Sequence, residues 1–420
     1  MFRILKDAWK IPDLRKKILY TILLLVVFRF GSHIPVPYVN RELLEQLFGG
    51  NNSSLFGLAN VVSGRALQNA TIFAMSITPY INSSIIMQLL TVAIPALERL
   101  SKEGEEGRKV IARWTRYVTV ILAFVQATGL WLTVAETKNP LTFAVVVLSL
   151  TSGTAFLMWL GEQINEKGVG NGISLIIFAG IISGLPAGIQ GLWGSSGTGI
   201  GRWVMLAVVA VISIAIIGLI VFFDNSERRI PVQYAKITRG RKMYGGQSTN
   251  IPIKVMMTGV MPIIFAVSLM AFPATLGQMF GKDAASGGFW GGFLTLFNPG
   301  GVFYSILYFI LIIAFTFFYT EIQFNPIEVS NNIKNNGGFI PGIRPGKPTS
   351  EFIAKILHRI TWIGAFIIAM IAILPTFFTK INPAFSFGGT SILIVIGVAL
   401  ETVKQIESQM LMRHYKGFLD

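Results

Sequence analysis

Long apolar runs dominate the chain, and polar segments separate them. A helix that crosses roughly 30 Å of hydrocarbon needs about 20 apolar residues. Ten runs approach that length, at 18–30, 72–94, 118–134, 141–160, 173–185, 203–223, 255–272, 302–319, 356–374 and 391–412. The first, fifth and last are the weakest, because their apolar cores are short or interrupted by charge. The pattern predicts an all-α integral membrane protein with ten transmembrane helices.

Composition supports a membrane protein and narrows its chemistry. The 420 residues are 52% hydrophobic and 13% charged, with a mean hydropathy of +0.62. Cysteine is absent and there are three histidines, so disulfides, thiolate centres and multi-histidine metal sites are excluded. We expect no cofactor. The first run is not expected to be a cleaved signal peptide, because no small-residue cleavage site follows it.

The distribution of positive charge predicts the orientation. The net charge is +15, with 35 lysines and arginines. Arg29 lies within the first run, and six basic residues fall in alternate segments. Those six are Arg41, Arg65, Lys138, Arg202, Lys282 and Lys380. The rest lie in the other set of segments, which the positive-inside rule assigns to the cytoplasm. This asymmetry predicts a plasma-membrane protein with both termini cytoplasmic.

Three cytoplasmic segments have features beyond orientation. Segments 226–254 and 321–359 are long, polar and basic, so we expect them to project and to dock a large acidic or RNA-containing partner. Attraction to anionic lipid is the alternative for any single basic residue. In segment 1–17, Phe2, Leu5 and Trp9 recur at helical spacing, which predicts an amphipathic helix at the membrane surface.

The runs divide into two sets of five. An N-terminal half at 18–185 and a C-terminal half at 203–412 flank an external loop at 186–202, and a tail at 413–420 ends the chain. Two pseudo-symmetric halves are therefore a reasonable architecture. Between the first two runs, residues 51–70 are semi-apolar and too short to span. They fit either a re-entrant element or a helix lying on the outer leaflet.

The middles of the second to ninth runs contain essentially no ionisable residue, and none of these middles carries a Lys, Arg, Asp or Glu. Proton- and ion-coupled transporters keep such groups for function, although each costs roughly 2.5–3.5 kcal/mol to insert. Glu401 and Lys404 come nearest, and we interpret them as a neighbouring pair on one helix. Small residues, amides and prolines in the helices favour a passive conduit with a movable wall. A secondary transporter for a small solute is the alternative, and an intramembrane enzyme is a third hypothesis.

Five segments, in the same order, resemble the SecY/Sec61-alpha family of protein-conducting channels. They are FRFGSHIPVP at 28–37, ITPYINSSIIMQLLT at 77–91, FLMWLGEQINEKGVGNGIS at 156–174, YGGQST at 244–249 and FIPGIRPG at 339–346. The resemblance runs nearly from end to end. It implies a clamshell of two five-helix halves around a central pore. It also implies a channel that passes unfolded polypeptides and releases apolar segments sideways into lipid, without enzymatic activity.

The resemblance also implies roles for particular residues. The pore ring comprises Ile77, Ile81, Ile177, Ile264, Ser268 and Ile394, and the lateral gate includes Asn82, Gln88 and Phe272. The plug, at about 55–67, includes Leu55, Phe56, Leu58, Val61, Val62 and Leu67. Arg228, Arg229, Arg241, Lys242 and Arg344 match docking positions. The implied partners are the small membrane subunits SecE and SecG, the motor ATPase SecA, the ribosome, unfolded polypeptides with signal sequences, and membrane lipids.

Overall fold

The computed structural model describes residues 2–40, 63–64, 66–135, 137–195, 200–234, 237–239, 242–244, 248–279, 288–297, 301–381 and 389–416. Its helices are α1 (Phe2–Lys10), α2 (Pro12–Gly31), α3 (Thr78–Ala93), α4 (Pro95–Lys102), α5 (Glu105–Val134), α6 (Pro140–Lys167), α7 (Gly172–Ser195), α8 (Ile200–Asp224), α9 (Met261–Met279), α10 (Gly288–Leu296), α11 (Val302–Gln323), α12 (Pro326–Asn335), α13 (Lys347–Ile381) and α14 (Gly389–Lys416). Each of the ten predicted spans overlaps one long helix.

The long helices pack in two groups of five. Helices α2, α3, α5, α6 and α7 form the N-terminal group, and α8, α9, α11, α13 and α14 form the C-terminal group. The groups meet along two seams. At one seam, α9 packs against α3 and α5; at the other, α7 packs against α8 and α14. Residues that face each other across the first seam are therefore far apart in the sequence, and only the tertiary structure brings them together.

Three boundaries differ from the sequence expectation. Residues 72–77 form turns and α3 begins at Thr78, while α9 begins at Met261 and continues through Pro273. The expected loop at 186–202 is largely helical, since α7 continues through Pro186 to Ser195 and α8 begins at Ile200. An apolar run indicates burial or lipid contact but does not distinguish a helix from a turn. The second and seventh predicted spans therefore begin before the helices do.

Taken helix by helix, length and composition qualify fewer of the described helices as spans than the ten predicted from the apolar runs. Five described helices, or parts of them, are long and apolar enough to cross a membrane, and α3 with α4 makes a sixth if their 100° bend is taken as one broken span. Helices α7 and α9 contain shorter apolar stretches that end at Pro186 and Pro273. Their neighbours cover them, so these helices need fewer apolar residues than an isolated span.

The two long polar segments at 226–254 and 321–359 share a β-sheet, which the sequence pattern does not predict. Strands β1 (Glu227–Tyr234), β4 (Ser248–Lys254) and β5 (Gly338–Phe339) pair in the order β4-β1-β5, and both pairings are antiparallel. A separate hairpin joins β2 (Ile237–Arg239) to β3 (Lys242–Tyr244). The sequence pattern does not reveal that β5 of the second segment pairs with β1 of the first.

A small apolar core fixes this sheet to the helices. Ile230 and Val232 alternate with exposed residues along β1, as expected for a half-buried strand. They pack with Ile253 of β4 and with residues of α12 and α13, including Ile333 and Ile353. Polar residues surround these isoleucines in the sequence, so the local pattern resembles that of a loop. The sheet is thus a rigid extension of the membrane-spanning helices.

Two further contacts involve α14. The predicted amphipathic helix is α1, and its Ala8 is buried in a cluster with Ile406 of α14. The predicted pair between Lys404 and Glu401 does not form. The Nζ of Lys404 donates to the carboxylate of Asp224 and, at 3.2 Å, to the main-chain oxygen of the same residue. The reason is that α8 packs on α14, which brings Asp224 to the lysine.

Candidate functional site

Five isoleucines from four helices meet in one buried cluster between the two groups. Ile77 and Ile81 lie at the start of α3, Ile177 on α7, Ile264 on α9 and Ile394 on α14. Their side chains are between 1% and 6% exposed. Two helices come from each group, so the cluster lies where the groups face each other. The structure therefore places all five isoleucines of the predicted ring in one buried cluster, together with other buried residues of these helices.

Ser268 adds a polar position beside these isoleucines. It is buried and follows Ile264 by four residues on α9, so both side chains lie on the same face of that helix. In this part of the structure, the neighbouring residues on α9 are mostly apolar and buried. Ser268 is therefore a polar residue within a mostly apolar, buried stretch of α9.

A hydrogen bond crosses the seam between the groups at the predicted gate. The hydroxyl of Tyr319 on α11 donates to Oε1 of Gln88 on α3. The amide nitrogen of Gln88 donates in turn to Oγ of Ser84, at 3.3 Å. The ring of Tyr319 packs against Phe265 of α9, with 5.0 Å between the ring centroids. Gln88 is thereby held on both sides of its amide group.

The other predicted gate residues flank this bond. Asn82 on α3 is buried, and its amide nitrogen has no hydrogen-bond partner. The next residue, Ser83, donates to the main-chain oxygen of Thr115 on α5 at 2.7 Å, which ties two helices of one group together. Phe272 lies half-buried on α9, directly before Pro273. Tyr319 was missed by the sequence reading because tyrosines are common in apolar helices and its partner is 231 residues away.

The predicted plug falls mostly outside the described residues. Leu55, Phe56, Leu58, Val61 and Val62 lie there, whereas Leu67 is described and buried. Gly64, which is described, has a φ of +64°, and a Cβ at this position would lie 2.9 Å from the main-chain oxygen of Gly180 on α7. The described end of the segment thus packs closely on a helix that contributes to the isoleucine cluster.

Three of the five predicted docking residues lie at the shared sheet or in the turn that follows β5. Arg228 and Arg229 lie exposed on β1, and the guanidinium Nε of Arg229 contacts Glu227 at 2.7 Å. Arg344 is exposed in the turn between β5 and α13. Lys242 lies on β3, and Arg241 falls outside the described residues. Because β1 pairs with β5, the structure brings residues of both segments onto one platform.

The turn that carries Arg344 is held at several points. Gly342 and Gly346 have φ values of +81° and +101°, a conformation that favours glycine. The hydroxyl of Thr349 donates to the main-chain oxygen of Arg344 at 2.8 Å. Ser330 of α12 donates to the main-chain oxygen of Gly346, also at 2.8 Å. The backbone is therefore fixed while the arginine side chain extends into solvent.

Comparison with known proteins decides the family. A sequence model of the SecY family matches residues 71–403. The protein translocase subunit SecY of Halalkalibacterium halodurans is 46% identical, with both chains covered completely. That of Streptomyces coelicolor is also 46% identical, over 98% of each chain, and that of Bacillus subtilis is 44% identical over both full lengths. The chain belongs to the SecY family.

Solved structures of the family share the fold. A protein-conducting channel aligns with a TM-score of 0.63 and 19% identity, covering 94% of this chain and 92% of the other. A SecY structure concerned with the plug domain aligns with a TM-score of 0.64 and 20% identity over the same shares. Sec61 from a canine ribosome-channel complex aligns with a TM-score of 0.58 and 18% identity, again over 94% and 92%.

Membership of the SecY family establishes the general function. The protein is a multi-pass membrane protein of the plasma membrane and forms a protein-conducting translocation channel. It is a transport protein and not an enzyme. The small-solute transporter and the intramembrane enzyme considered from the sequence are thereby excluded. The mostly helical, multi-spanning fold predicted from the sequence is confirmed.

Proposed function

We propose that the buried isoleucine cluster is the constriction of the channel, through which unfolded secretory polypeptides pass. The single observation that carries this proposal is the meeting of Ile77, Ile81, Ile177, Ile264 and Ile394 from both helix groups. Branched apolar side chains in a narrow neck exclude water and hinder ions. They also deform around a moving chain without binding it. Ser268 would form part of the same neck, and the plug at about 55–67 would close its outer side.

The proposed lateral gate is the seam between α3 and α5 on one side and α9 and α11 on the other. Asn82, Gln88 and Phe272 lie on helices that border it. An apolar segment of about 20 residues that enters the seam exchanges water for lipid, which is favourable by roughly 25 cal/mol per Å² of apolar surface. Opening requires α11 and α3 to separate, and hence the bond between Tyr319 and Gln88 to break. No chemical step is needed.

The cytoplasmic sheet and its turn are the proposed docking platform. Arg228, Arg229 and Arg344 are exposed at the shared sheet and its turn, and Lys242 lies on β3 of the separate hairpin. Arg241, which precedes Lys242 in the sequence, completes the proposed set. We infer that the motor SecA and the ribosome bind here, and that both termini are cytoplasmic. SecE and SecG are the proposed membrane partners. Lys242 supplies a point charge where arginine would supply a planar fork, so its contact is less directional.

Replacing a constriction isoleucine should increase ion leak through the resting channel. Ile81→Gly and Ile264→Gly each remove a branched side chain from the buried cluster, which widens and wets the neck. The measurement is the conductance of the purified channel in planar bilayers. Ile214→Gly is the matched control, because Ile214 on α8 is 67% exposed on the outer surface of the fold. Equal conductance in all three variants would refute the constriction.

Removing the hydroxyl of Tyr319 should ease opening of the lateral gate. Tyr319→Phe keeps the ring packed on Phe265 and deletes the donor to Gln88. Hydrogen bonds between membrane helices contribute about 0.6 kcal/mol on average, so opening should become about threefold easier. The measurement is the export of a series of precursors whose signal sequences differ in hydrophobicity. Less hydrophobic signals should now be accepted.

Tyr308→Phe is the matched control for this substitution. Tyr308 lies on the same helix and is fully buried, and its hydroxyl has no hydrogen-bond partner. Its loss should leave the hydrophobicity requirement unchanged. If Tyr319→Phe and Tyr308→Phe gave the same requirement as the parent protein, the bond across the seam would have no role in gating.

A further inference from the structure

Residues 66–76, here termed the strap, form an irregular segment that leads directly into α3. Most of its residues are buried. It pairs with the chain just after α2: the amide of Val36 donates to the oxygen of Ala70 at 2.8 Å, and the amide of Ile72 donates to the oxygen of Ile34 at 3.0 Å. These two bonds flank an antiparallel bridge between Pro35 and Thr71. The strap is thus attached to the outer end of the first membrane helix.

Two glycines allow the strap to pass between α2 and α6. A Cβ on Gly31 of α2 would lie 2.2 Å from the ring of Phe73. A Cβ on Gly153 of α6 would lie 2.0 Å from the main-chain oxygen of Ile72. Real Cβ atoms do not approach other heavy atoms so closely. Any larger residue at either position would displace the strap.

Phe73 is clamped between two aromatic rings. Its centroid lies 6.1 Å from that of Phe28 on α2 and 6.0 Å from that of Phe156 on α6. The interplanar angles are 17° and 10°, so the three rings form a stack. Phe73 is 3% exposed and belongs to the same buried cluster as the constriction isoleucines. Stacking on both faces and burial together hold the Phe73 ring in place.

The strap fixes the position of Ile77. The amide of Ser76 donates to the oxygen of Phe73 at 2.8 Å, and Ser76 has a φ of +52°, which turns the chain sharply toward α3. Ile77 follows as the residue that caps α3. Three residues, 74–76, therefore separate the clamped ring from Ile77 of the constriction, and they contain a tight turn. A shift of Phe73 must move Ile77.

We propose that Phe73 is a positioning residue for the channel seal: held by the Phe28–Phe156 stack and the notches at Gly31 and Gly153, it sets Ile77 in the constriction. This inference rests on the proposed role of the isoleucine cluster. It differs from that role in that Phe73 need not touch the translocating chain. Its effect is transmitted along the strap to the first residue of the ring.

The test is the resting ion current of purified variants in planar bilayers. Phe73→Ala and Phe73→Leu should leak, with a current comparable to that of Ile81→Gly. Gly31→Ala should also leak, because its new methyl group displaces the Phe73 ring. Phe309→Leu is the control: Phe309 on α11 makes an edge contact with Phe366, at 5.7 Å between centroids, and lies in the other helix group. It should conduct like the parent.

A reversible covalent lock separates positioning from a general loss of stability. The chain contains no cysteine, so Pro35→Cys with Thr71→Cys introduces one thiol pair. The flanking hydrogen bonds identify this as a non-hydrogen-bonded antiparallel pair, whose Cα atoms lie about 4.5 Å apart, within disulfide range. In the Phe73→Ala background, oxidation should return the current toward the parent value, and reduction should restore the leak.

The outcomes separate the two proposals. If Ile81→Gly leaks while Phe73→Ala, Phe73→Leu and Gly31→Ala all conduct like the parent, the role of Phe73 is refuted and the constriction stands. If the Phe73 variants leak but the lock has no effect on the current, positioning through the strap is likewise refuted. If Ile81→Gly and Ile264→Gly are silent as well, the constriction itself is refuted.

Discussion

Export driven by the motor should be lost when Arg344 is replaced by glutamate. The arginine projects from a turn whose backbone is fixed by Gly342, Gly346 and two hydroxyl hydrogen bonds. Charge reversal there changes the proposed contact from attraction to repulsion without altering any described packing contact, because the side chain is exposed. Precursor import into inverted membrane vesicles supplied with the motor and ATP should fall to background.

Lys347→Glu is the matched control for the docking prediction. Lys347 is exposed, lies three residues beyond Arg344 and undergoes the same change of charge. It should retain most export, because a bulk electrostatic effect depends on net charge whereas a specific contact depends on position. Membrane abundance of both variants should match the parent. Normal import by Arg344→Glu would exclude this turn as the docking contact.

Covalently joining α3 to α11 across the seam should stop translocation. Gln88 and Tyr319 meet there through their side-chain ends, so cysteines at the two positions face each other across the gap that those side chains fill. A short bifunctional thiol reagent with a cleavable centre should bridge them in the resting channel. Since the gate must open for a signal sequence to enter, bridged channels should not export, and cleavage of the reagent should restore export.

Because the chain has no native cysteine, no other thiol of this chain competes for the reagent. The two single-cysteine variants, treated with the same reagent, report any effect of modification without a bridge. Both should export, at a rate close to that of the untreated protein. Undiminished export by a channel shown to be fully bridged would mean that this seam does not open during transport.

The spans were predictable because lipid imposes a uniform demand on every residue that faces it. Each of the ten apolar runs overlaps a helix, and the basic residues concentrate in alternate connections. The isoleucines of the proposed ring were predicted by resemblance and not by their local pattern. Taken alone, Ile81 or Ile264 is indistinguishable from any other isoleucine in an apolar helix, since hydropathy is the same for a side chain that faces lipid, a core or a pore.

The contacts between distant elements were not predictable. The hydrogen bond from Tyr319 to Gln88, the ion pair from Lys404 to Asp224 and the pairing of β5 with β1 each join residues far apart in sequence. Nothing in the local pattern marks one partner for the other. The expected pair of Glu401 with Lys404 was wrong for this reason, because proximity in sequence was taken in place of proximity between packed helices.

The sequence by itself determined that the chain lies in a membrane, how many apolar helices it contains and which family's motifs it carries, because these follow from side-chain polarity and from order along the chain. The tertiary structure alone decided which isoleucines share a buried cluster, that two long polar segments form one sheet, and that Phe73 is clamped between α2 and α6. Those features depend on how helices from separate parts of the chain pack, and close packing is a property of pairs of surfaces that no single segment encodes.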